Sequence, residues 1–224
     1  PSLLEYKGRE IARTMHWQGA PWLMRKVREE EEKTSEMIKE LQLKPGISVA
    51  DIGCGGGDMI RVMDDWAISH DFKLKFTGID ANRNIIDLAK VRLSDKPEID
   101  WTIQNVFDPA FSNHRVDIIT CTLFTHHFTS QELVDLLSAF RKKAKVGIII
   151  NDLHRHPLAY YSIKWLTRIF SRSKMVQNDA PLSVLRSFSR EDWENILYWI
   201  RCTKSTCQSI TYKIHKIIFF KKFF

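Results

Sequence analysis

The chain contains the stretch Val49-Ala50-Asp51-Ile52-Gly53-Cys54-Gly55-Gly56-Gly57-Asp58, in which an apolar run leads into a glycine-rich loop. The run is typical of a strand, and a helical pattern begins directly after the loop. The chain must therefore turn sharply, and glycine permits this because it tolerates positive φ and has no Cβ to block a ligand. Such a loop after the first parallel strand is where open α/β sheets bind nucleotides.

From residue 47 onward, apolar runs alternate with segments of helical period. The predicted strands are residues 47–52, 74–79, 99–104, 116–121 and 146–150, and the predicted helices are 59–69, 84–93, 131–142 and 158–170. Several runs are continuously apolar, as strands buried on both faces are. The alternation predicts a doubly wound, mostly parallel α/β sheet with helices on both faces. Residues 210–220 are predicted to form a last, antiparallel strand.

The spacing of the glycines separates two kinds of nucleotide site. The dinucleotide fingerprint G-x-G-x-x-G/A requires glycine or alanine at position 58, where Asp58 would meet a pyrophosphate with like charge. The loop instead reads Asp-x-Gly-x-Gly-x-Gly. A carboxylate near the loop favours a positively charged cofactor, and Asp51 meets that demand.

The motif from Asp51 to Gly57 resembles the first motif of class I S-adenosylmethionine-dependent methyltransferases, and the resemblance extends over residues 47–152. It implies a seven-stranded, Rossmann-like methyltransferase fold, with S-adenosyl-L-methionine as cofactor and S-adenosyl-L-homocysteine as product. In that family an acid after the second strand holds both ribose hydroxyls, and Asp80 stands at this place. One carboxylate can accept both hydrogen bonds. The alternative for Asp80 is an N-cap on the following helix.

The same resemblance assigns further residues to the cofactor. Residues 101–108 frame the adenine, with Asn105 where the family often has Asp; the alternative for Asn105 is a turn residue. Residues 121–123, after the fourth strand, lie beside the methionine part. The implied cofactor residues are Asp51, Gly53, Cys54, Gly55, Gly57, Asp80, Ala81, Asn105, Val106, Phe107, Cys121, Thr122 and Leu123.

Candidate catalytic residues follow the fourth and fifth strands: His126, His127, Asp152 and His154. Methyl transfer needs mainly in-line positioning, and a histidine base helps when the acceptor is a hydroxyl. Helix capping, or packing under a lid, is the alternative for the two adjacent histidines. The pair His154 and His156 beside Asp152 could bind a metal ion, but no third ligand follows at an obvious spacing, so no metal is predicted.

The domain prediction divides the chain at residue 46. Residues 1–46 form an N-terminal helical cap on the substrate side, and residues 47–224 form the methyltransferase domain. Aromatic and sulfur-containing side chains between residues 15 and 24 cap a substrate pocket or pack against the sheet edge. An amphipathic insert near residues 153–190 is predicted as a helical lid over an apolar acceptor. Packing on the sheet and contact with a membrane surface are its alternatives.

Composition bounds the partners and the compartment. The chain has 224 residues, of which 44% are hydrophobic and 27% charged, as in one globular domain. No apolar run approaches the roughly 20 residues of a membrane span. The net charge of +7 could attract nucleic acid, acidic lipid or an anionic substrate, or reflect solvated faces. The four cysteines form no CxxC pair, which favours a reducing cytoplasm.

The resemblance and these residues together predict a methyltransferase acting on an oxygen or carbon of a small, rather apolar metabolite. The segment after the fifth strand also resembles bacterial methyltransferases of secondary metabolism. Residues 122–125 contain no proline, which counts against methylation of exocyclic amines or glutamine amides. The alternatives are a nucleic-acid methyltransferase using the basic surface, a non-catalytic cofactor-binding module and, last, a nicotinamide oxidoreductase.

Overall fold

The computed structural model describes residues 5–6, 9–10, 34–41, 43–108, 111, 115–171, 173–202, 210–215 and 218–223. The strands are β1 (Glu5–Tyr6), β2 (Arg9–Glu10), β3 (Ser48–Ile52), β4 (Lys75–Asp80), β5 (Asp100–Ile103), β6 (Val116–Thr122), β7 (Ala144–Asn151), β8 (Ile210–His215) and β9 (Ile218–Phe223). The helices are α1 (Thr34–Leu41), α2 (Asp58–Ser69), α3 (Arg83–Arg92), α4 (Ser130–Lys143), α5 (Pro157–Phe170), α6 (Lys174–Arg186) and α7 (Arg190–Cys202). A short 3₁₀ turn spans Thr125–His127.

Seven strands form one sheet in the order β5-β4-β3-β6-β7-β9-β8, while β1 and β2 pair with each other. The strands from β5 to β7 in this order are parallel, and β9 runs antiparallel to both of its neighbours. The parallel part, covered by helices, confirms the predicted doubly wound α/β fold. Successive strands proceed in opposite directions from β3, so a crevice forms at the carboxyl ends of β3 and β6.

Side chains alternate along the strands and divide the core into two layers. Ile118 faces a cluster that contains side chains of α1, α2 and α3, whereas the next residue, Ile119, faces α4 and α7. Fully buried members of the first layer are Met37, Ile60, Met63 and Ile86, and of the second Leu133, Leu136 and Phe140. Because both faces of the sheet are covered, its parallel strands read as continuous apolar runs.

Local hydrogen bonds determine where several helices begin. Thr129 and Glu132 form a reciprocal capping box at the start of α4. Asn82 caps α3, since its side chain accepts a hydrogen bond from the N–H of Asn84 at 3.0 Å. The cap of α3 is therefore not Asp80, and the alternative role considered for that carboxylate is not observed.

The end of the chain differs from the sequence prediction. Residues 210–220 were expected as one strand but contribute to two, β8 and β9, which form a hairpin. The second arm is the antiparallel neighbour of β7, and the first lies at the sheet edge. The first arm, Ile210–His215, alternates with the two-residue period of a strand, whereas the second, Ile218–Phe223, does not, so the pattern indicates one strand only. The predicted insert contains two helices, α5 and α6, and α7 follows unpredicted.

The N-terminal segment, predicted as a helical cap over residues 1–46, contains α1 in its described part, whereas the aromatic stretch 15–24 lies outside the described residues. In the part of the chain described here, no helix is both long and apolar enough to cross a membrane.

Truncation of the core should destabilise the fold strongly. Phe140 is 0% exposed, so Phe140→Ala should lower the free energy of unfolding by about 3–5 kcal/mol through lost burial and a residual cavity. Val91→Ala, at a side chain that is 73% exposed, should change it by less than about 0.5 kcal/mol. Urea unfolding measures both values, and similar losses would contradict the two-layer core.

Candidate functional site

The loop after β3 is fastened to the end of β4 by backbone hydrogen bonds. The N–H groups of Gly53 and Cys54 both donate to the carbonyl oxygen of Ile79, at 2.8 and 3.2 Å. The N–H of Gly55 donates to Oδ2 of Asp80 at 3.2 Å. The glycine loop and the acid that the sequence singled out are therefore in direct contact.

The loop glycines differ in what surrounds them. Gly53, Gly55 and Gly57 have φ of 68°, 53° and 78°, which side chains rarely adopt. A Cβ on Gly53 would lie 2.2 Å from the Phe124 ring, and one on Gly57 would lie 2.7 Å from the Trp101 ring. A Cβ on Gly55 would meet nothing within 4 Å. Gly55 thus faces open space that a ligand can occupy.

Asp80 lies at the edge of this space with its carboxylate half-buried. Besides the bond from Gly55, it accepts a hydrogen bond at Oδ1 from the N–H of Asn82, at 2.9 Å. A carboxylate has about four lone-pair positions, so both oxygens can accept further bonds. The next residue, Ala81, is exposed at the same edge.

Asp51 lies beneath the loop rather than at its edge. Its side chain is 2% exposed and accepts a hydrogen bond from Oγ1 of Thr120 at 2.8 Å. Burial, and then the nearby carboxylates of Asp51 and Asp80, raise the pKa of the Cys54 thiol above its ordinary range. Cys54 is consequently a neutral thiol, buried near the carboxylate of Asp51.

Asp58 does not face the loop's open side. Its carboxylate pairs with the guanidinium of Arg92 at 2.6 Å, and Arg92 also donates to the carbonyl oxygen of Gly56 at 3.0 Å. The charge of Asp58 is therefore compensated from α3. Repulsion between Asp58 and a pyrophosphate therefore no longer distinguishes this loop from a dinucleotide site. The spacing of the glycines still does.

The segment predicted to frame adenine forms a turn. Oδ1 of Asn105 accepts a hydrogen bond from the N–H of Phe107 at 3.0 Å, which is the turn role considered as the alternative. The rings of Phe107 and Phe128 pack edge to face with 5.4 Å between their centroids. The rings of Phe128 and Phe124 pack in the same way with 4.9 Å between their centroids. Val106 packs against the α4 side of the core. These rings form an aromatic wall beside Gly53.

The end of β6 carries an unpartnered hydroxyl. Among the described residues, Oγ1 of Thr122 is buried without a hydrogen-bond partner. The neighbouring Cys121 is 1% exposed, and burial raises the pKa of its thiol. Leu123 adopts φ of 50° and donates its N–H to the carbonyl oxygen of Asn151 at 2.8 Å. A buried hydroxyl of this kind calls for a ligand or water partner.

Asp152 joins the ends of β6 and β7. Its carboxylate is 2% exposed and accepts hydrogen bonds from Oγ1 of Thr125, from the His126 N–H at 2.9 Å and from the Leu153 N–H at 2.8 Å. His126 Nδ1 lies 2.7 Å from Oδ1. Burial alone would raise the pKa of Asp152, but His126 and these donors hold it below its ordinary value. An ionised Asp152 therefore accepts from Nδ1–H and leaves Nε2 as the basic nitrogen of His126.

The other two candidate bases are not part of this pair. The His127 ring lies 4.3 Å between centroids from that of His126, and desolvation, followed by the charge of His126, lowers its pKa. His154 forms a parallel bridge with Phe188, and desolvation and then the charge of His156 lower its pKa. The structure thus unites Asp152, His126 and His127, while His154 belongs to the start of the insert.

Several contacting residues were not identified from the sequence. Thr120, Phe124 and Thr125 hold or cover candidate residues, but each is an ordinary strand or turn residue by pattern. The one sequence feature that could have identified Thr125 is its position directly before His126. Within the described residues, no group of three or more His, Cys, Asp or Glu could hold a metal ion. The absence of a metal stays a prediction.

Comparisons with known proteins relate this chain to methyltransferases. A family model described as a methyltransferase domain matches residues 49–147. Phosphoethanolamine N-methyltransferase 1 of Zea mays is 28% identical over 129 residues, which are 56% of this chain and 24% of that protein. The 2-phytyl-1,4-naphtoquinone methyltransferase of Nostoc sp. is 29% identical over 128 residues, 53% of this chain and 52% of that protein. The chain thus spans between a quarter and about half of these relatives.

A solved structure shows how far the fold similarity extends. The plantazolicin methyltransferase BpumL in complex with SAH superposes with a TM-score of 0.65 at 20% identity, covering 87% of this chain and 71% of that one. At this identity, the likeness concerns the fold.

The two loop glycines provide a matched pair of substitutions. Gly55→Ala places a side chain at positive φ in open space and should lower the free energy of unfolding by about 1–2 kcal/mol. Gly53→Ala adds overpacking against Phe124 and should cost about 1–3 kcal/mol more. Urea unfolding without ligand measures both. Equal losses would show that the ring of Phe124 moves aside freely.

The buried carboxylate predicts a dependence of stability on pH. Because the pKa of Asp152 is lower in the folded than in the unfolded protein, its ionised carboxylate stabilises the fold. This stabilisation is fully present above the unfolded pKa of about 3.9 and is lost as the pH falls through the folded pKa. Asp152→Asn should therefore cost about 3–5 kcal/mol near neutral pH, with a smaller difference from the parent below about pH 4. Urea unfolding across this range, with the exposed Asp100→Asn as control, measures the difference; a constant difference would contradict the prediction.

Proposed function

Since residues 49–147 belong to the methyltransferase domain family of the class I S-adenosylmethionine-dependent type, we propose that this chain methylates an oxygen or carbon of a small, rather apolar molecule. The observation that carries the proposal is the contact between the glycine loop and Asp80. In this contact, open space at Gly55 adjoins the Asp80 carboxylate, which is proposed to accept the ribose hydroxyls. S-adenosyl-L-methionine is the cofactor proposed for this cradle.

The residues present fit that cofactor. Gly55 leaves room for close approach, Asp80 has acceptor capacity for two ribose hydroxyls, and the Thr122 hydroxyl lacks a partner among the described residues. The bound cofactor supplies an electrophilic methyl group on a sulfonium. Asp51, buried below the loop, contributes a negative charge that stabilises this cation and the cofactor's amino group.

The proton of a hydroxyl acceptor needs a base, for which His126 and His127 are the proposed residues. Asp152 orients His126 through Nδ1, and His127 lies beside it in the same turn. Desolvation lowers the pKa of His127 to about 4, which keeps its ring neutral near pH 7 but makes it a weak base. His154 is the less favoured candidate because its backbone pairs with Phe188.

The aromatic wall supports an apolar acceptor. Phe107 is 47% exposed and continues the wall that Phe124 and Phe128 form beside the loop. The phytyl group in the name of the Nostoc relative agrees with an apolar acceptor, whereas the maize relative's name specifies nitrogen of a polar compound. A bacterial secondary metabolite is one such apolar acceptor. Methylation of nucleic acid is the alternative, and the net charge is the only observation that favours it.

The domain organisation and compartment belong to the same proposal. α6 packs against the turn that bears His126 and His127, and α5 packs against α6, which suits a lid over the acceptor. Residues 1–46 are proposed as the substrate-side cap. The described cysteines Cys54 and Cys121 are free thiols, which agrees with a cytoplasmic location.

Calorimetric titration with S-adenosylhomocysteine tests the cofactor assignment. The parent chain should bind with a Kd in the micromolar range, whereas Asp80→Ala should bind at least about tenfold more weakly, because both ribose hydroxyls lose an ionised acceptor. Asp100→Ala, which removes an exposed carboxylate from β5, is the matched control and should bind as the parent does. NADH should not bind.

A second variant separates binding from folding. Thr122→Val removes an unpartnered hydroxyl at nearly constant volume, so it should leave the free energy of unfolding unchanged or higher while weakening binding about three- to tenfold. The failure of a folded parent chain to bind S-adenosylhomocysteine would overturn the methyltransferase assignment. Binding without methyl transfer to any apolar phenol, quinol, amine or RNA offered would favour a non-catalytic module.

A further inference from the structure

Helix α5 exposes an unusual amount of apolar surface. Within its described residues only Thr167 is buried, while Leu158 is 70%, Trp165 62% and Ile169 68% exposed. Further exposed apolar side chains of the same helix are Tyr161, Leu166 and Phe170. Isolated exposed apolar residues are ordinary on a protein surface, but six large ones on one 14-residue helix form a patch.

The patch is continuous along the helix. At about 100° per residue, Leu158, Trp165 and Ile169 fall on one stripe, and Thr167 lies on the opposite side, toward the protein. Lys164 and Arg168 border the stripe on one edge. The helix is therefore amphipathic, but its aromatic and aliphatic face is directed outward instead of toward the protein core.

The sequence around this helix carries basic residues and no acidic ones. Residues 153–178 contain no Asp or Glu and five basic residues, Arg155, Lys164, Arg168, Arg172 and Lys174, of which Arg155 is paired with Asp192 at 2.5 Å. The pair Lys164 and Arg168 beside an apolar face that contains Trp and Tyr matches the boundary of an acidic bilayer, where aromatic rings lie at the headgroup level. A second copy of the same face would bring these cations together, which opposes a two-fold dimer.

We propose that α5 is a membrane-surface helix that lies in the interface of a bilayer containing acidic lipids. Its outward stripe enters the headgroup and acyl boundary, and the basic residues beside the stripe contact the phosphates. The apolar contacts supply binding that persists at physiological salt, whereas the cations supply the preference for acidic lipid. This binding surface is independent of any methyl transfer.

Co-sedimentation of the full chain with vesicles tests the surface. The chain should bind vesicles of phosphatidylglycerol and phosphatidylcholine at about 0.15 M salt, where charge attraction between distant groups is screened. Phosphatidylcholine vesicles should bind it at least about tenfold more weakly. The double variant Trp165→Ser/Ile169→Ser, which changes no charge, should lower the partition coefficient for acidic vesicles about tenfold or more. Lys164→Glu/Arg168→Glu should also lose binding.

The matched control removes two exposed apolar side chains elsewhere. Ile68→Ser/Val91→Ser, at positions that are 65% and 73% exposed on α2 and α3, should bind acidic vesicles as the parent does. Urea unfolding checks that all variants are folded. Undiminished binding by Trp165→Ser/Ile169→Ser would overturn the proposal and assign the attraction to other basic residues. A parent dimer that the same variant dissociates, without vesicle binding, would assign the face to a second copy.

Discussion

The site depends on the attachment of the loop after β3 to the end of β4. One carbonyl oxygen, that of Ile79, accepts from the N–H groups of both Gly53 and Cys54, and Asp80 accepts from Gly55 directly beside it. These donors are backbone groups, so the attachment requires a backbone conformation that only glycine adopts readily at two of the three positions. The acid at the end of β4 consequently lies against the loop before any ligand arrives.

A second attachment positions the candidate base. Burying a carboxylate costs several kcal/mol, and Asp152 offsets this through donors on both of its oxygens. Three of these four donors belong to Thr125 and His126 in the turn after β6, whereas Asp152 itself follows β7. The orientation of His126 is thus determined by the neighbouring strand as well as by its own turn. The two attachments act on opposite sides of the point where the sheet order reverses.

The sequence predicted the layered fold because it follows from local pattern, whereas the position of Asp80 beside the loop was implied by the family resemblance. Strand β3 begins one residue after the predicted residue 47 and ends at Ile52 as predicted, because a short, mostly apolar run between two turn signals favours a buried strand. Contacts between distant segments were not predictable in this way. Arg92 compensates Asp58 across 34 residues, and Phe124 covers Gly53, without any mark in the pattern of either segment. The second arm of the β8 and β9 hairpin was not predicted because Ile218–Phe223 lacks the two-residue alternation of β8.

The outward face of α5 is the feature that folding alone does not explain. A helix packed only against its own protein directs its apolar stripe inward, because each buried apolar side chain is stabilised by about 1.5–3 kcal/mol. Here the inward position is Thr167, whose hydroxyl bonds to the carbonyl oxygen of Ile163 in the same helix. Outward exposure of Trp165 and its neighbours therefore gains nothing for the folded chain in water, which agrees with the proposed contact with a bilayer. Since α5 rests on α6, and α6 on the turn of His126 and His127, a bilayer bound to this face would adjoin the elements that border the crevice, and an acceptor dissolved in that bilayer would have a short path to it.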